Sequence, residues 1–342
     1  MRKGSRNSRV FVIAEAGVNH NGSMALARRL IRIARHAGAD AVKFQSFRAN
    51  LLSTPSAPKA RYQSRSGDIN ESQFDMLRRL ELSENQHGLL KDYCRVQGIE
   101  FLSTPFDTES LKMLVHRIGV ERLKISSGEV TNSPLLLAAA RTKKPVILST
   151  GMCTLDDVRG ALGVLAFGYL GHKVPSIAAF RNAFSSATGK KKLCEKVTLL
   201  HCTTEYPTPL RDTNLLAMDT LRSEFGLSVG LSDHTAGITA AIAAVARGAQ
   251  VVEKHFTLDR SLPGPDHRAS LEPDELENMV STIREVEECL GSPVKSPSQS
   301  EKRNMDVARK SLVALLPIRR GEPFTRKNLG TKRPGKDRKS VV

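Results

Sequence analysis

Two hydrophobic rhythms take turns along this chain. Short apolar or β-branched runs with a period of two occur at 9–15 (RVFVIAE), 40–45 (DAVKFQ), 100–105 (EFLSTP), 122–126 (RLKIS), 145–150 (PVILST), 197–202 (VTLLHC), 228–233 (SVGLSD) and 251–256 (VVEKHF). Between them lie segments with helical spacing. In SMALARRLIRIARHAG, Leu26, Leu30, Ile33 and Ala37 form one stripe and Arg28, Arg32 and Arg35 point to solvent; several such segments open on a Ser or Thr cap and close on Gly. Strand and helix alternating eight times predict an α/β fold, a (β/α)8 TIM barrel.

Two stretches break the rhythm. Residues 46–72 are long and rich in Ser, Pro and basic residues, which predicts a functional loop over the second strand. Residues 167–196 lengthen the connection before the sixth strand and predict one added helix. A last helix near 273–290 closes the barrel. The pattern divides the chain into a catalytic barrel over 1–292, a Ser-rich linker over 293–304 and a short unit over 305–342, too small for a core of its own.

In a barrel of this kind, chemistry belongs to the C-terminal ends of the strands. Read in order, those ends offer Glu15; Lys43 and Gln45; Thr104; Lys124 followed by Ser127 and Glu129; Ser149; His201 with Thr204 and Tyr206 beyond it; Ser232 and His234; and Glu253 and His255. The period of two puts Val251, Glu253 and His255 on one face of the last strand and Val252, Lys254 and Phe256 on the other. A purely structural barrel has no need of polar groups at every mouth position. Lysines inside a barrel call for anions, so Lys43 and Lys124 point to a phosphate or carboxylate ligand, with Ser and Thr hydroxyls completing its cradle. His234 and His255 end adjacent strands, about 5 Å apart by strand spacing, within reach of one metal ion. Hard oxygen donors beside them favour Mn2+ or Mg2+. The same residues also fit a blander reading, in which Glu15, Glu129 and Glu253 pair with the two lysines as a buried ion network and each histidine is a hydrogen-bonded core residue.

Bulk properties narrow the function classes. The formal charge of +17 suits an anionic substrate as well as a polyanion, but aromatics are 5% with no Trp, so the stacking platform of a single-strand nucleic-acid binder is missing. Nucleic acid is therefore not expected as a partner. No apolar run approaches the length of a membrane span, and the basic N-terminus passes straight into a strand pattern, so the expectation is a cytoplasmic protein without membrane contact. Five dispersed cysteines without a C-x-x-C pair read as reduced thiols.

The motifs IAEAGVNHNGS, GADAVKFQSF, STPFD, KISSGE, ILSTGM, LLHCTTEYPTP, GLSDHTAG and EKHFTLDRSLPGPDHRASLEPDEL closely resemble the sialic acid synthase family, in order and across residues 9 to about 290. The tail ARKSLVALLPIRRGEPFTRKNLGTKRPG resembles the start of that family's C-terminal antifreeze-like (SAF) domain. The resemblance implies an N-acetylneuraminate synthase, which condenses phosphoenolpyruvate with N-acetylmannosamine, breaks the C–O bond and releases phosphate with a divalent metal, Mn2+ or Mg2+. Related synthases making legionaminic or pseudaminic acid, or the 9-phosphate, share the barrel motifs, and a non-catalytic relative is the remaining alternative. It implies metal ligation by His234 and His255, with Glu253 holding a metal-bound water. It assigns phosphoenolpyruvate to Lys43, Thr104, Lys124, Ser127, Ser149, Thr204 and Ser232, and the sugar to Gln45, Glu129, Tyr206, Asp266 and Arg333. Glu15 falls where the family has an acid or base, and Glu129 and Glu253 join it as proton carriers. Arg333 matches an arginine that reaches the sugar from the partner subunit of a domain-swapped homodimer. After KRPG the family continues through a further stretch, whereas this chain reads KDRKSVV and stops, so the resemblance implies an incomplete SAF-like domain.

Overall fold

The computed structural model describes residues 9–59 and 71–333. Part of the predicted 46–72 loop and the final KDRKSVV therefore lie outside the described residues. Eight parallel strands form one sheet: β1 (Phe11–Gly17), β2 (Ala41–Ser46), β3 (Glu100–Pro105), β4 (Leu123–Ile125), β5 (Val146–Ser149), β6 (Val197–Cys202), β7 (Ser228–Asp233) and β8 (Val251–His255). Their hydrogen-bond order is β3-β2-β1-β8-β7-β6-β5-β4. The two end strands, β3 and β4, are also neighbours, so the barrel is nearly closed.

The period of two sorts every strand into an inward and an outward set. Ile13, Ala41, Leu102, Ile147, Leu200 and Val251 pack together as an apolar plug inside the barrel. Val12, Val42, Phe101, Leu148, Leu199, Val229 and Val252 face the surrounding helices in the main core. Two residues beyond the plug, the same inward phase brings Glu15, Lys43, Thr104, Ser149, Cys202, Ser232 and Glu253. The apolar plug is thus the floor of a polar mouth. Gly230 holds the inward position on β7, where an added Cβ would lie 2.2 Å from the Val251 carbonyl oxygen. Gly230→Ala should destabilise the barrel by about 1–3 kcal/mol, the usual range for overpacking; an unchanged denaturant midpoint would refute this.

Local sequence explains the helix ends. Ser83 and Gln86 form a capping box that opens the helix Glu84–Gln97, and Gly98 ends it in the left-handed region at φ 69°. The helix Met24–His36 starts at its Ser23 cap. Its buried residues are Ala27, Leu30, Ile31 and Ala34, a stripe rotated from the predicted Leu26, Leu30, Ile33 and Ala37. Two small alanines on that face let the helix approach the sheet closely, a preference that hydrophobicity alone does not encode. The 167–196 stretch holds two helices, Ile177–Ser185 and Ala187–Lys196, where one was expected, because Ser186 ends the first and caps the second. The helix Pro273–Leu290 is as expected.

Gly291–Val342 forms a second compact unit, separate from Met1–Leu290. It contains a helix, Gln299–Ala308, and an antiparallel pair of strands, β9 (Ser311–Ala314) and β10 (Leu329–Lys332). The helix begins inside the stretch read as a linker, because Ser298 and Glu301 make a capping box there. Among the described residues, no helix is long and apolar enough to cross a membrane.

Candidate active site

The mouth of the barrel opens into a cavity of about 430 Å³. All the predicted site residues except Arg333 line it. Arg333 belongs to the second unit, where its exposed side chain donates from Nε to the Ala308 carbonyl at 3.2 Å.

At the floor sits a chain of alternating charges. Glu15, Lys43, Lys124 and Glu253 are 1%, 4%, 3% and 4% exposed. Lys43 contacts Glu15 and lies 3.5 Å from Glu253 Oε2, while Lys124 Nζ lies 3.3 Å from Glu253 Oε1. Lys43 Nζ also donates to Thr104 Oγ1 at 3.0 Å, and Ser232 Oγ donates to Glu253 Oε1 at 2.8 Å. Pairing across the strands sets these neighbours, since Glu15 is in register with both Lys43 and His255, and Ser232 with Glu253. A bulge after Glu15 moves the register on to Gly17 opposite Phe44. Gly17 has φ +50°, and a Cβ there would meet Glu15 Oε1 at 3.1 Å and His255 Cε1 at 3.2 Å, so a glycine keeps those two side chains apart without crowding.

The two floor glutamates are driven to opposite states. Burial raises Glu15 to about 7 against the pull of Lys43, and the charge of Glu253 adds to the rise. Burial also pushes Glu253 up, but Lys124, Lys43 and the Ser232 hydroxyl outweigh it and bring its pKa to about 2. Near neutrality the site therefore holds one carboxyl able to carry a proton and one fixed carboxylate. Burial lowers the Lys124 pKa, whereas for Lys43 the surrounding carboxylates overcome burial and raise it.

Above this layer lie the histidines. His234 follows β7 directly and its ring centroid is 5.7 Å from that of His255. Tyr206 packs over both, 4.1 Å from His234 and 5.6 Å from His255. His234 Nδ1 donates to the Thr203 carbonyl at 2.7 Å, which leaves the Nε2 lone pair for a ligand. Buried His255 Nδ1 has no hydrogen-bond partner and lies 3.9 Å from Asp266 Oδ2. Burial, with His234 and Lys43 adding to it, holds His255 well below the usual imidazole range, the neutral form a metal requires. Burial lifts Asp266 to about 6. Two imidazoles with available nitrogens fit a divalent cation. Among the described residues no group of three His, Cys, Asp or Glu side chains is placed to hold one ion, so oxygen donors such as water or substrate would complete the shell.

The β4 and β5 ends supply hydroxyls. Ser127 Oγ accepts from the Gly151 amide at 2.8 Å, which leaves its proton to donate. Ser149 Oγ is buried with no partner. A Cβ on Gly151 would lie 2.4 Å from Thr204 Oγ1 and 2.9 Å from Ser127 Oγ, so these two hydroxyls close around bare backbone. Asn132 Nδ2 donates to Glu129 Oε2 at 2.7 Å and steadies that half-buried carboxylate, whose pKa burial raises.

His201, read as a strand-end group, faces away from this site and pairs through Nε2 with the Thr213 carbonyl at 2.7 Å. Its neighbour Cys202 takes the inward position, with Sγ 3.7 Å from His234 Nδ1. Counting phase from Leu200 in the plug would have found it. The helical residues after the 46–72 loop also reach the cavity, among them Met76, Leu77 and Leu80. Their spacing is the only signal they carry. Asp233, adjacent to Ser232, points outward into a buried ion pair with Lys254 at 2.8 Å.

A sequence model of the NeuB family matches residues 30–295. The chain is 46% identical over 326 residues to the N,N'-diacetyllegionaminic acid synthase of Campylobacter jejuni, covering 95% of this chain and 91% of that protein. It is 45% identical to the enzyme of the same name from Legionella pneumophila, covering 95% and 85%. Among solved structures, the N-acetylneuraminic acid synthetase of Leptospira borgpetersenii aligns with a TM-score of 0.70 at 35% identity, covering 88% of this chain and 91% of that one.

Proposed function

The chain belongs to the NeuB family, and from that membership and the charge layer at the barrel mouth we propose that it condenses phosphoenolpyruvate with an N-acetylated amino sugar to a nonulosonic acid. The observation that carries the reading is the buried Lys43 and Lys124 pair at the floor of the cavity, where one of the two facing carboxyls among the described residues, Glu15, can hold a proton and leave the layer with a net positive charge. The carboxylate and phosphate of phosphoenolpyruvate would bind against that positive charge. Ser127, Ser149, Thr104 and Thr204 would donate or orient around the phosphate, and Ser149 has an unmatched buried hydroxyl ready for it.

The main expectation from sequence, N-acetylmannosamine as acceptor, yields to one of its alternatives. The diacetyllegionaminic acid synthases stand at 46% and 45% identity, against 35% for the N-acetylneuraminic acid synthetase. We therefore favour a sugar bearing two acetamido groups. Gln45, Glu129, Tyr206 and Asp266 ring the upper cavity and would hold it. Contact between Arg333 and the sugar of a partner chain, through an SAF-like unit in a homodimer, is part of the same proposal and rests on the family resemblance.

In this reading, His234 and His255 would hold Mn2+ or Mg2+. Such an ion, when bound, supplies Lewis acidity toward a carbonyl oxygen. The chain's own residues do the rest. The lysines hold phosphoenolpyruvate with C3 toward the acceptor aldehyde, and a new C–C bond forms as Glu15 gives its proton to the aldehyde oxygen. Glu253, fixed as the anion, accepts a hydrogen bond from the water that adds at C2 and orients it, and the departing phosphate oxygen takes that water's first proton. The adduct then breaks its C–O bond and expels hydrogen phosphate, and the C2 hydroxyl proton returns to Glu15 as the keto group forms.

The test is phosphate release from phosphoenolpyruvate with Mn2+, with and without amino sugar. Release that depends on the sugar is the expected result. Dialysis against EDTA should abolish it and Mn2+ should restore it, while the rise in melting temperature caused by phosphoenolpyruvate should largely persist. Sugar-independent hydrolysis, or turnover indifferent to EDTA, would refute the corresponding part of the proposal.

A further inference from the structure

A buried ion pair lies outside the charge layer and takes no part in the chemistry proposed for it. Asp233 and Lys254 are the last outward-facing residues of β7 and β8, each 1% exposed, and neither lines the cavity. Two residues earlier on the same face, Leu231 is paired with Val252, an apolar rung packed into the main core. A second apolar rung would fill the Asp233–Lys254 position as well, because burying two charges carries a desolvation cost that their attraction often does no more than balance. Stability alone gives no reason for an ion pair there.

Its hydrogen bonds supply one. Lys254 Nζ donates to Asp233 Oδ2 at 2.8 Å and to the Thr235 carbonyl, and Asp233 Oδ1 accepts from the Thr235 amide at 2.8 Å. His234 is the residue between Asp233 and Thr235, and His255 is the residue after Lys254. One ammonium group thus holds the chain on both sides of His234 and belongs to the neighbour of His255. Asp233 with Lys254 is also the last rung of the β7–β8 ladder. Past it the carbonyls of the two histidines turn to different loops: that of His234 accepts from the Thr208 amide at 2.8 Å, and that of His255 from the Leu271 amide at 2.9 Å. The ion pair therefore links the two strands at the level where the histidines stand. Apolar side chains slide past one another at little cost, whereas a lysine bonded to two acceptors has one geometry.

Resting on the reading that His234 and His255 hold a divalent cation, we infer that the Asp233–Lys254 pair sets the separation of the two imidazoles and through it the affinity of the metal site. A metal accepts its ligands only within a few tenths of an ångström of their ideal distances, so a small relative shift of β7 and β8 weakens it. Asp233 and Lys254 are positioning residues, acting on the metal through the histidines beside them.

The test measures Mn2+ binding to the metal-free protein by calorimetry, so that turnover is not the readout. Asp233→Leu/Lys254→Met removes both charges together and avoids the unpaired buried charge that either single substitution leaves. Asp233→Asn/Lys254→Gln also removes them but keeps a donor and an acceptor, and it serves as the second variant if the apolar one does not fold. A cooperative thermal transition certifies the fold of each. The Kd for Mn2+ should rise about 10–100-fold in the apolar variant, the usual effect of losing a group that orients metal ligands, and less in the polar one. The melting shift caused by phosphoenolpyruvate in EDTA should match that of the wild type in both, because Lys43 and Lys124 stay in place. An unchanged Kd for Mn2+ in a folded variant, even one that melts lower, would overturn the inference and leave the pair a purely structural contact. A wild-type protein that binds no Mn2+ would overturn the metal reading itself, and the inference with it.

Discussion

Glu15→Gln should lower turnover by about 10²–10⁴, the usual contribution of a positioned acid or base, while phosphoenolpyruvate still binds. The substitution keeps the shape of the side chain and the hydrogen-bonding oxygen near Lys43, so the loss reports the missing proton. The wild-type pH profile of kcat/KM should bend near 7, where burial places Glu15, and the bend should vanish in the variant. Stability should move the other way. A carboxyl whose pKa rises from 4.5 to about 7 on folding contributes fully below its unfolded value, and that contribution is lost as pH rises through the folded one. At pH 8 the wild type therefore carries a buried charge that the glutamine lacks, and the variant should melt higher; at pH 4.5 the two should melt alike. A variant with near-normal turnover would reduce Glu15 to an ion-pair partner of Lys43.

Much of this site is legible from phase alone. Val251, Glu253 and His255 share the inward face of β8, and the structure puts Val251 in the apolar plug and the other two in the mouth above it. The same counting on β2 and β5 leads from Ala41 to Lys43 and from Ile147 to Ser149. Polarity is a poorer guide than phase on β6: His201 is the more conspicuous residue, but Cys202 is the one in phase with Leu200. The apolar lining of the cavity was hidden for a different reason. Met76 and Leu80 are one helical turn apart beside Arg78 and Arg79, and nothing local says that their buried face meets the cavity at the barrel mouth and not ordinary core. That depends on the packing of Val18 and Phe106, distant in sequence. The pKa split between Glu15 and Glu253 is equally nonlocal, because it follows from which carboxylate has two lysines and a serine around it.

Lys43→Met should remove detectable turnover and also weaken the fold, and the two effects can be separated. Lys43 sits between Glu15 and Glu253, so its loss leaves two buried carboxyl groups facing each other with only Lys124 to balance them. Breaking a buried pair from one side costs about 3–5 kcal/mol, because the remaining charge is uncompensated. Adding Glu15→Gln removes the Glu15 charge, so the cycle is run well above pH 7, where that carboxyl is ionised. The double variant Glu15→Gln/Lys43→Met should therefore recover a large part of the lost stability, with a coupling energy of about 0.5–3 kcal/mol in the double-mutant cycle. Binding should not recover with it. If the lysine serves only to neutralise Glu15, the double variant will still show a melting shift with phosphoenolpyruvate comparable to that of the wild type. If Lys43 holds the substrate anion, the shift will be absent from both Lys43 variants and present in Glu15→Gln alone. The buried network and the proposed substrate site share the same four side chains, and this cycle separates the part of Lys43 that answers to the protein from any part that answers to the ligand.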